Sequence, residues 1–181
     1  MNRVHAAARI ARTAPRHAVA PAPAPIVDLA AARRRVAAAR RAPVPLRVVL
    51  ANGLFDLMHV GHLRYLRAAR RQGDLLVVAI NDDRSARALR GPGRPLVPAR
   101  DRARLVAAVR GVGLVLIFGG TTVTRVLRAL RPDVHCKGTD YRPGTVPERA
   151  VVRAYGGAVR VAGDPKRHSS TAIMNRMTAR R

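Results

Sequence analysis

Residues 46–62 read Leu46-Arg47-Val48-Val49-Leu50-Ala51-Asn52-Gly53-Leu54-Phe55-Asp56-Leu57-Met58-His59-Val60-Gly61-His62. The apolar run Leu46–Ala51 gives way at Gly53 to a turn, and then to an amphipathic stretch over Gly61–Arg71. That is the pattern of a buried strand handing over to a helix. Gly53 permits a tight turn where a side chain would obstruct an approaching ligand. His59 and His62 are three residues apart across the helix start, so they share one side of the first turn. Unpaired backbone N–H groups and the helix dipole already favour an anion there. Two imidazoles at that spot suit a polyphosphate whose charge grows during reaction. Gly61 between them lets a flat ring or a phosphate lie against the backbone.

The same alternation continues along the chain. It predicts a strand at Leu75–Ile80, helices at Asp83–Leu89 and Ala99–Arg110, a strand at Leu114–Phe118 and a helix at Thr122–Leu130. Further strands are expected at Val134–Cys136 and Ala158–Val161, separated by a helix over Pro147–Tyr155, with a last helix from about Ser170. Continuous apolar strands alternating with helices argue for an α/β fold, a parallel sheet covered by helices on both faces. Ligands then bind at the carboxyl ends of the strands, here just after Ala51, Ile80, Phe118, Cys136 and Val161. Upstream, residues 1–25 are rich in Ala, Arg and Pro and read as a disordered arm. The arm superficially resembles an organelle transit peptide, but no apolar region suits a secretory signal. Residues 26–45 read as a lead-in helix and linker, with Asp28 capping a helix over Leu29–Arg41 that Pro43 and Pro45 end. The domain proper is read as 46–181.

Composition bounds the chemistry. A chain of 181 residues, 48% hydrophobic, supports one domain with a core, and with aromatics at 3% and no Trp that core must come from Ala, Val and Leu. No apolar run approaches the ~20 residues of a membrane span. The single Cys136 forms no internal disulfide, which fits a reducing, cytoplasmic setting. The net charge is +25, and Lys137 and Lys166 are the only lysines among 35 basic residues. Such a field favours anionic partners, nucleotides and sugar phosphates or nucleic acid. The excess is spread through the whole chain, and no recognition helix, stacking aromatics or zinc motif supports a basic nucleic-acid-binding protein. His59 and His62 have no third ligand nearby at metal spacing. His135 and Cys136 lie on another strand, where neighbours face opposite sides.

Several blocks carry a resemblance. The segment ending His59-Val60-Gly61-His62 resembles the H-x-G-H signature of the nucleotidyltransferase superfamily. Class I aminoacyl-tRNA synthetases share it, but on much longer chains. Residues 26–177 are more closely similar to the adenylyltransferase domain of bacterial heptose 1-phosphate adenylyltransferases. The likeness runs through Asn52-Gly53-Leu54-Phe55-Asp56, Asn81-Asp82-Asp83, Gly91-Pro92-Gly93-Arg94-Pro95, Arg102, Lys137-Gly138-Thr139-Asp140-Tyr141, Gly156-Gly157 and Ser169-Ser170-Thr171. It implies a Rossmann-like nucleotidyltransferase fold, a homodimer, and a reaction in which ATP and a sugar 1-phosphate give an ADP-sugar and pyrophosphate. A cytidylyltransferase acting with CTP on glycerol 3-phosphate or a related alcohol phosphate shares both end motifs and is the close alternative. A phosphate monoester is already largely dianionic near neutrality, so the reaction needs alignment and charge stabilisation more than a general base. Magnesium is expected to arrive with the triphosphate, held mainly by phosphates and water.

On this reading His59, His62 and Lys137 are the candidate catalytic residues. Lys137 follows a buried strand in a chain dominated by arginine, which suggests that a compact ammonium is required; snorkelling from the strand end is the competing explanation. Leu54, Phe55, Gly61, Gly138 and Asp140 are expected along the nucleotide, with Thr139 standing where the family has a second glycine. Ser169, Ser170 and Thr171 match a block that contacts nucleotide phosphates, preceded by the cations of Lys166-Arg167-His168; a plain helix cap is the other reading. Arg90 and Arg94 flank a Gly/Pro loop that can fold over the triphosphate, and Arg102 heads the next helix within reach of the same anions. Asp82 and Asp83 end the second strand and either receive sugar hydroxyls or cap the following helix. Asp56 is expected to orient the histidine loop by accepting backbone N–H bonds.

Overall fold

The computed structural model describes residues 22–163 and Met174. The expected last helix and the block Ser169-Ser170-Thr171 therefore lie outside the described residues, as does the arm through residue 21.

The apolar runs become five parallel strands: β1 (Val48–Gly53), β2 (Leu75–Asn81), β3 (Leu114–Phe118), β4 (Val134–Lys137) and β5 (Ala158–Val161), in the order β3-β2-β1-β4-β5. Between them run α1 (Leu29–Arg40), α2 (Val60–Arg70), α3 (Asp83–Arg90), α4 (Ala99–Ala107), α5 (Thr124–Leu130) and α6 (Arg149–Ala154). The first strand lies two residues later than its apolar run suggests. Its pairing with β2 begins at Val48–Leu75, and Arg47 instead gives its carbonyl to the N–H groups of Asp74 and Leu75. Helix α4 stops at Ala107, three residues short of expectation, because the chain turns toward Gly111 at φ +93°.

Side chains alternate across the pleat and build two cores. Val49, Ala51, Val78, Ile80 and Val115 face one layer with Leu66 and Ala69 of α2 and Val106 of α4. Val48, Leu50, Val77, Ala79 and Leu116 face the other with Val36 of α1, Leu127 of α5 and Val152 of α6. An aromatic-poor core of small aliphatics results.

The lead-in segment belongs to this body rather than standing apart. Ala24 donates to the Ala107 carbonyl, Val27 to that of Val115, and the Val115 N–H donates to Pro25. Residues 24–27 thus cover the open edge of β3, where unpaired backbone groups would otherwise remain. Pro25 can serve there because only its carbonyl is needed. Asp28 accepts the Ala31 N–H at 2.6 Å and starts α1, as its position predicts.

Candidate active site

The strand order reverses between β1 and β4, and the carboxyl ends of these neighbours diverge into a cleft of about 860 Å³. This is the topological switch point of a doubly wound sheet. Tyr65 of α2 ties its floor together, its hydroxyl donating to the carbonyls of Cys136 at 2.8 Å and Asn52 at 3.4 Å. Beyond β1 the chain turns through Phe55, which holds φ +53° and is 2% exposed. A Cβ on Gly53 would lie 3.1 Å from the Phe55 ring, so the glycine makes room for that ring.

Helix α2 begins in an unusual way. His59 is its N-cap, and its Nδ1 accepts the Gly61 N–H at 3.1 Å. Three residues on, His62 Nδ1 accepts the His59 N–H at 3.3 Å. The pair forms a reciprocal cap built from imidazoles, where Ser or Thr with Glu is usual. A nitrogen that accepts cannot carry the proton, so in both neutral rings the proton sits on Nε2. The rings stack with centroids 4.0 Å apart. No acidic residue occupies the first turn of α2, so the positive end of its dipole is not offset locally.

Across the cleft, at the end of β4, the Lys137 side chain is 8% exposed. Its Nζ lies 3.5 Å from Glu148 Oε2, 3.5 Å from Asn52 Oδ1 and 4.6 Å from the centre of the Tyr141 ring. Burial lowers the lysine pKa, and the Glu148 carboxylate opposes only part of that shift. His135 Nε2 sits 3.0 Å from the same Asn52 oxygen. Lysine can only donate, which orients the Asn52 amide and in turn makes His135 Nε2 the donor. His135 is wholly buried, and burial, with the ammonium beside it, pushes its pKa down to about 3. The unfolded chain binds a proton at this ring below pH 6.5 that the folded chain refuses until about pH 3. Stability therefore falls on acidification through that window, by about 2 kcal/mol between pH 7 and pH 5. Urea unfolding at the two pH values should show this loss, and His135→Gln should remove it.

The cleft brings together most of the candidate residues: His59, His62, Lys137, Leu54, Phe55, Gly61, Arg90, Arg94, Gly138 and Asp140 all line it. Arg94 also pairs with Asp56 at 2.5 Å and contacts Met174. Asp56 accepts backbone N–H groups as expected, but from Leu96 at 2.7 Å and Val97 at 3.0 Å. It clamps the Gly/Pro loop against the histidine turn.

Three candidates, Arg102, Asp82 and Asp83, do not line the cleft: Arg102 departs from its expected reach toward the anions, while Asp82 follows the helix-cap alternative. Arg102 does not face the cleft. Its guanidinium is fully buried and donates to Val97 O at 2.8 Å, Asn81 O at 2.9 Å, Asp83 Oδ1 at 2.8 Å and Leu54 O. Asp82 caps α3, accepting the Ser85 N–H at 2.7 Å. Asp83 accepts the Ala99 N–H at 2.8 Å besides pairing with Arg102. A fully buried arginine is so rare without partners that the strand-end carbonyls and Asp83 must be taken together as its site. Arg102→Ala leaves those carbonyls unpaired and should cost about 3 kcal/mol or more in urea unfolding, with Arg102→Lys recovering only part.

Sequence reasoning passed over Asn52, His135, Glu148 and Tyr141 as site residues. The polar His135 inside an apolar strand was the available signal; nothing near Glu148 in sequence announces its approach to Lys137. Among the described residues no three His, Cys, Asp or Glu side chains converge to hold a metal, and no helix is long and apolar enough to cross a membrane.

A five-stranded parallel sheet covered by helices, with an imidazole-capped helix at its switch point, is a Rossmann-like α/β fold. The chain belongs to the cytidylyltransferase-like family, which it matches over residues 50–176. It is 44% identical over 131 residues to the bifunctional protein HldE of Pseudomonas fluorescens (strain Pf0-1), covering 72% of this chain and 28% of that protein. The HldE of Syntrophotalea carbinolica is likewise 44% identical over 133 residues, 74% of this chain and 27% of that one. The chain thus spans little more than a quarter of these relatives. Among solved structures, the lipopolysaccharide core biosynthesis protein of Thermoplasma volcanium superposes with TM-score 0.54 at 24% identity, over 64% of this chain and 93% of that one. Pantothenate synthetase of Thermus thermophilus gives TM-score 0.54 at 20% identity, over 80% of this chain and 62% of that one. These two likenesses concern the fold.

Proposed function

We propose that the protein transfers AMP from ATP to a sugar 1-phosphate, a heptose 1-phosphate by its resemblance, releasing pyrophosphate and forming an ADP-sugar. The observation that carries this reading is the pair of stacked imidazoles at the start of α2, each accepting a backbone N–H at Nδ1, with Lys137 at the end of β4 in the same cleft. A phosphate oxygen of the acceptor attacks the α-phosphorus of ATP, the α–β anhydride bond breaks, and pyrophosphate leaves with the electron pair. Charge accumulates on the leaving group. His59 and His62 donate hydrogen bonds to the phosphates as this happens, assisted by the dipole of α2.

Lys137 supplies a compact cation, and holding nucleotide and acceptor together supplies alignment. The leading arginines are Arg90 and Arg94, with Gly138 and Asp140 along the nucleotide. Ser169, Ser170 and Thr171 are carried over from the resemblance as further phosphate contacts. Magnesium enters as part of the nucleotide substrate, its positive charge shared among phosphate oxygens and water. A cytoplasmic homodimer belongs to the same reading.

The family description favours one second reading, CTP with an alcohol phosphate such as glycerol 3-phosphate, and Thr139 in the glycine position bears on the same choice of base. A panel of nucleoside triphosphates against sugar and alcohol phosphates, read by pyrophosphate release, separates the two. Release with ATP that depends on a sugar 1-phosphate supports the first reading; release only with CTP selects the second; none with any pair contradicts both.

A further inference from the structure

We infer that Glu148 is a positioning residue of this site, acting through Lys137: its buried carboxylate, with the Asn52 amide, fixes where the ammonium stands in the cleft.

Glu148 and Lys137 come from different elements, the residue before α6 and the end of β4, so nothing in the local chain requires them to meet. Their side chains are only 5% and 8% exposed, and the charged atoms are 3.5 Å apart. Placing a lone carboxylate there would be costly, and the same holds for a lone ammonium. Glu148 sits at the N-cap position of α6 without accepting any backbone N–H of that helix. Its side chain is therefore not explained as a cap and is instead turned to the lysine. Asn52, from β1, and the Tyr141 ring hold Nζ from two further sides. The Asn52 amide is oriented in turn by His135 Nε2.

The buried titratable groups His135, Cys136 and Tyr65 around Lys137 carry no negative charge. On β4, His135 stays neutral and the Cys136 thiol is pushed up to about 12 by burial. From α2, burial drives the Tyr65 phenol well above its ordinary value, so it remains protonated. Tyr141 presents its ring, and Asp140 lines the same cleft. Glu148 is thus the buried anion that partly offsets desolvation of the lysine. Its part in catalysis rests on the proposed nucleotidyl transfer; its effect on Lys137 does not.

With only two lysines in the chain, the test is clean. The full-length protein labelled with 13C at lysine Cε gives two resonances to titrate, assigned with Lys166→Arg. In Glu148→Gln the Lys137 midpoint should fall by about 1–3 pH units while Lys166 stays put. The alkaline limb of kcat/KM for pyrophosphate release should move down by the same amount. At pH 7 kcat should drop about tenfold to a hundredfold, the range seen when partners that orient a functional group are removed. Glu148→Asp, which keeps the charge on a shorter stem, should recover most of the Lys137 midpoint and guards against a Gln variant that fails to fold. An unchanged Lys137 midpoint in folded Glu148→Gln, or lost activity with an unmoved alkaline limb, overturns the inference. If the midpoint shifts but the wild type releases no pyrophosphate with any substrate pair, the positioning role stands and the proposed function falls.

Discussion

His62→Asn should lower kcat for pyrophosphate release by about 10²–10³-fold, the loss seen when one preorganised donor to a developing charge is removed elsewhere. The argument is tautomeric. His62 Nδ1 is committed to the His59 N–H, so the ring meets the cleft through its Nε2–H. Asparagine retains an acceptor for the backbone but does not place a donor at the far side of a ring. His59 has two duties that substitutions separate. His59→Asn keeps a good N-cap and loses the imidazole, so activity should fall with unfolding free energy almost unchanged. His59→Ala loses both, and about 1 kcal/mol of stability should go with the activity. Equal activity in His59→Asn and wild type would confine His59 to capping.

The second large effect is expected at Lys137. Lys137→Met removes a cation from the cleft and strands the Glu148 carboxylate, 5% exposed, with its paired charge gone. Breaking a buried pair from one side typically costs about 3–5 kcal/mol of stability. Activity should fall at least about 10²-fold, as for other preorganised electrostatic groups. The double variant Lys137→Met/Glu148→Gln separates the two consequences. Removing the orphaned charge should restore most of the stability lost by the single variant, giving a coupling energy of about 1 kcal/mol or more. Activity should remain lost. Recovery of both together would make Lys137 a structural counter-ion with no part in the chemistry.

Much of the fold was legible because parallel strands buried on both faces must be continuously apolar. The runs at Leu75, Leu114, Val134 and Ala158 were bounded to within a residue. The errors fell at ends, where hydrogen-bond pairing decides: β1 starts at Val48 because Arg47 turns its carbonyl to the Asp74 loop. The docking of residues 24–27 on β3 was invisible in composition, since a proline-rich segment reads as a tail until an open edge needs its carbonyls.

At the site, local sequence announced the histidine pair because three-residue spacing at a helix start has one geometric outcome. Arg102 was misread for the opposite reason. Its sequence setting is that of any surface arginine, and only the convergence of the Leu54, Asn81 and Val97 carbonyls makes it an internal clamp. The Lys137–Glu148 pair likewise joins elements that only the sheet brings together.

Histidine 15N spectroscopy with Mg²⁺-ATP tests the central claim most directly. The account predicts Nε2-protonated tautomers for both His59 and His62 in the apo protein, and large shifts of both Nε2–H signals on adding nucleotide, with His135 nearly still. Saturating nucleotide that leaves the His59 and His62 signals where they were would contradict it.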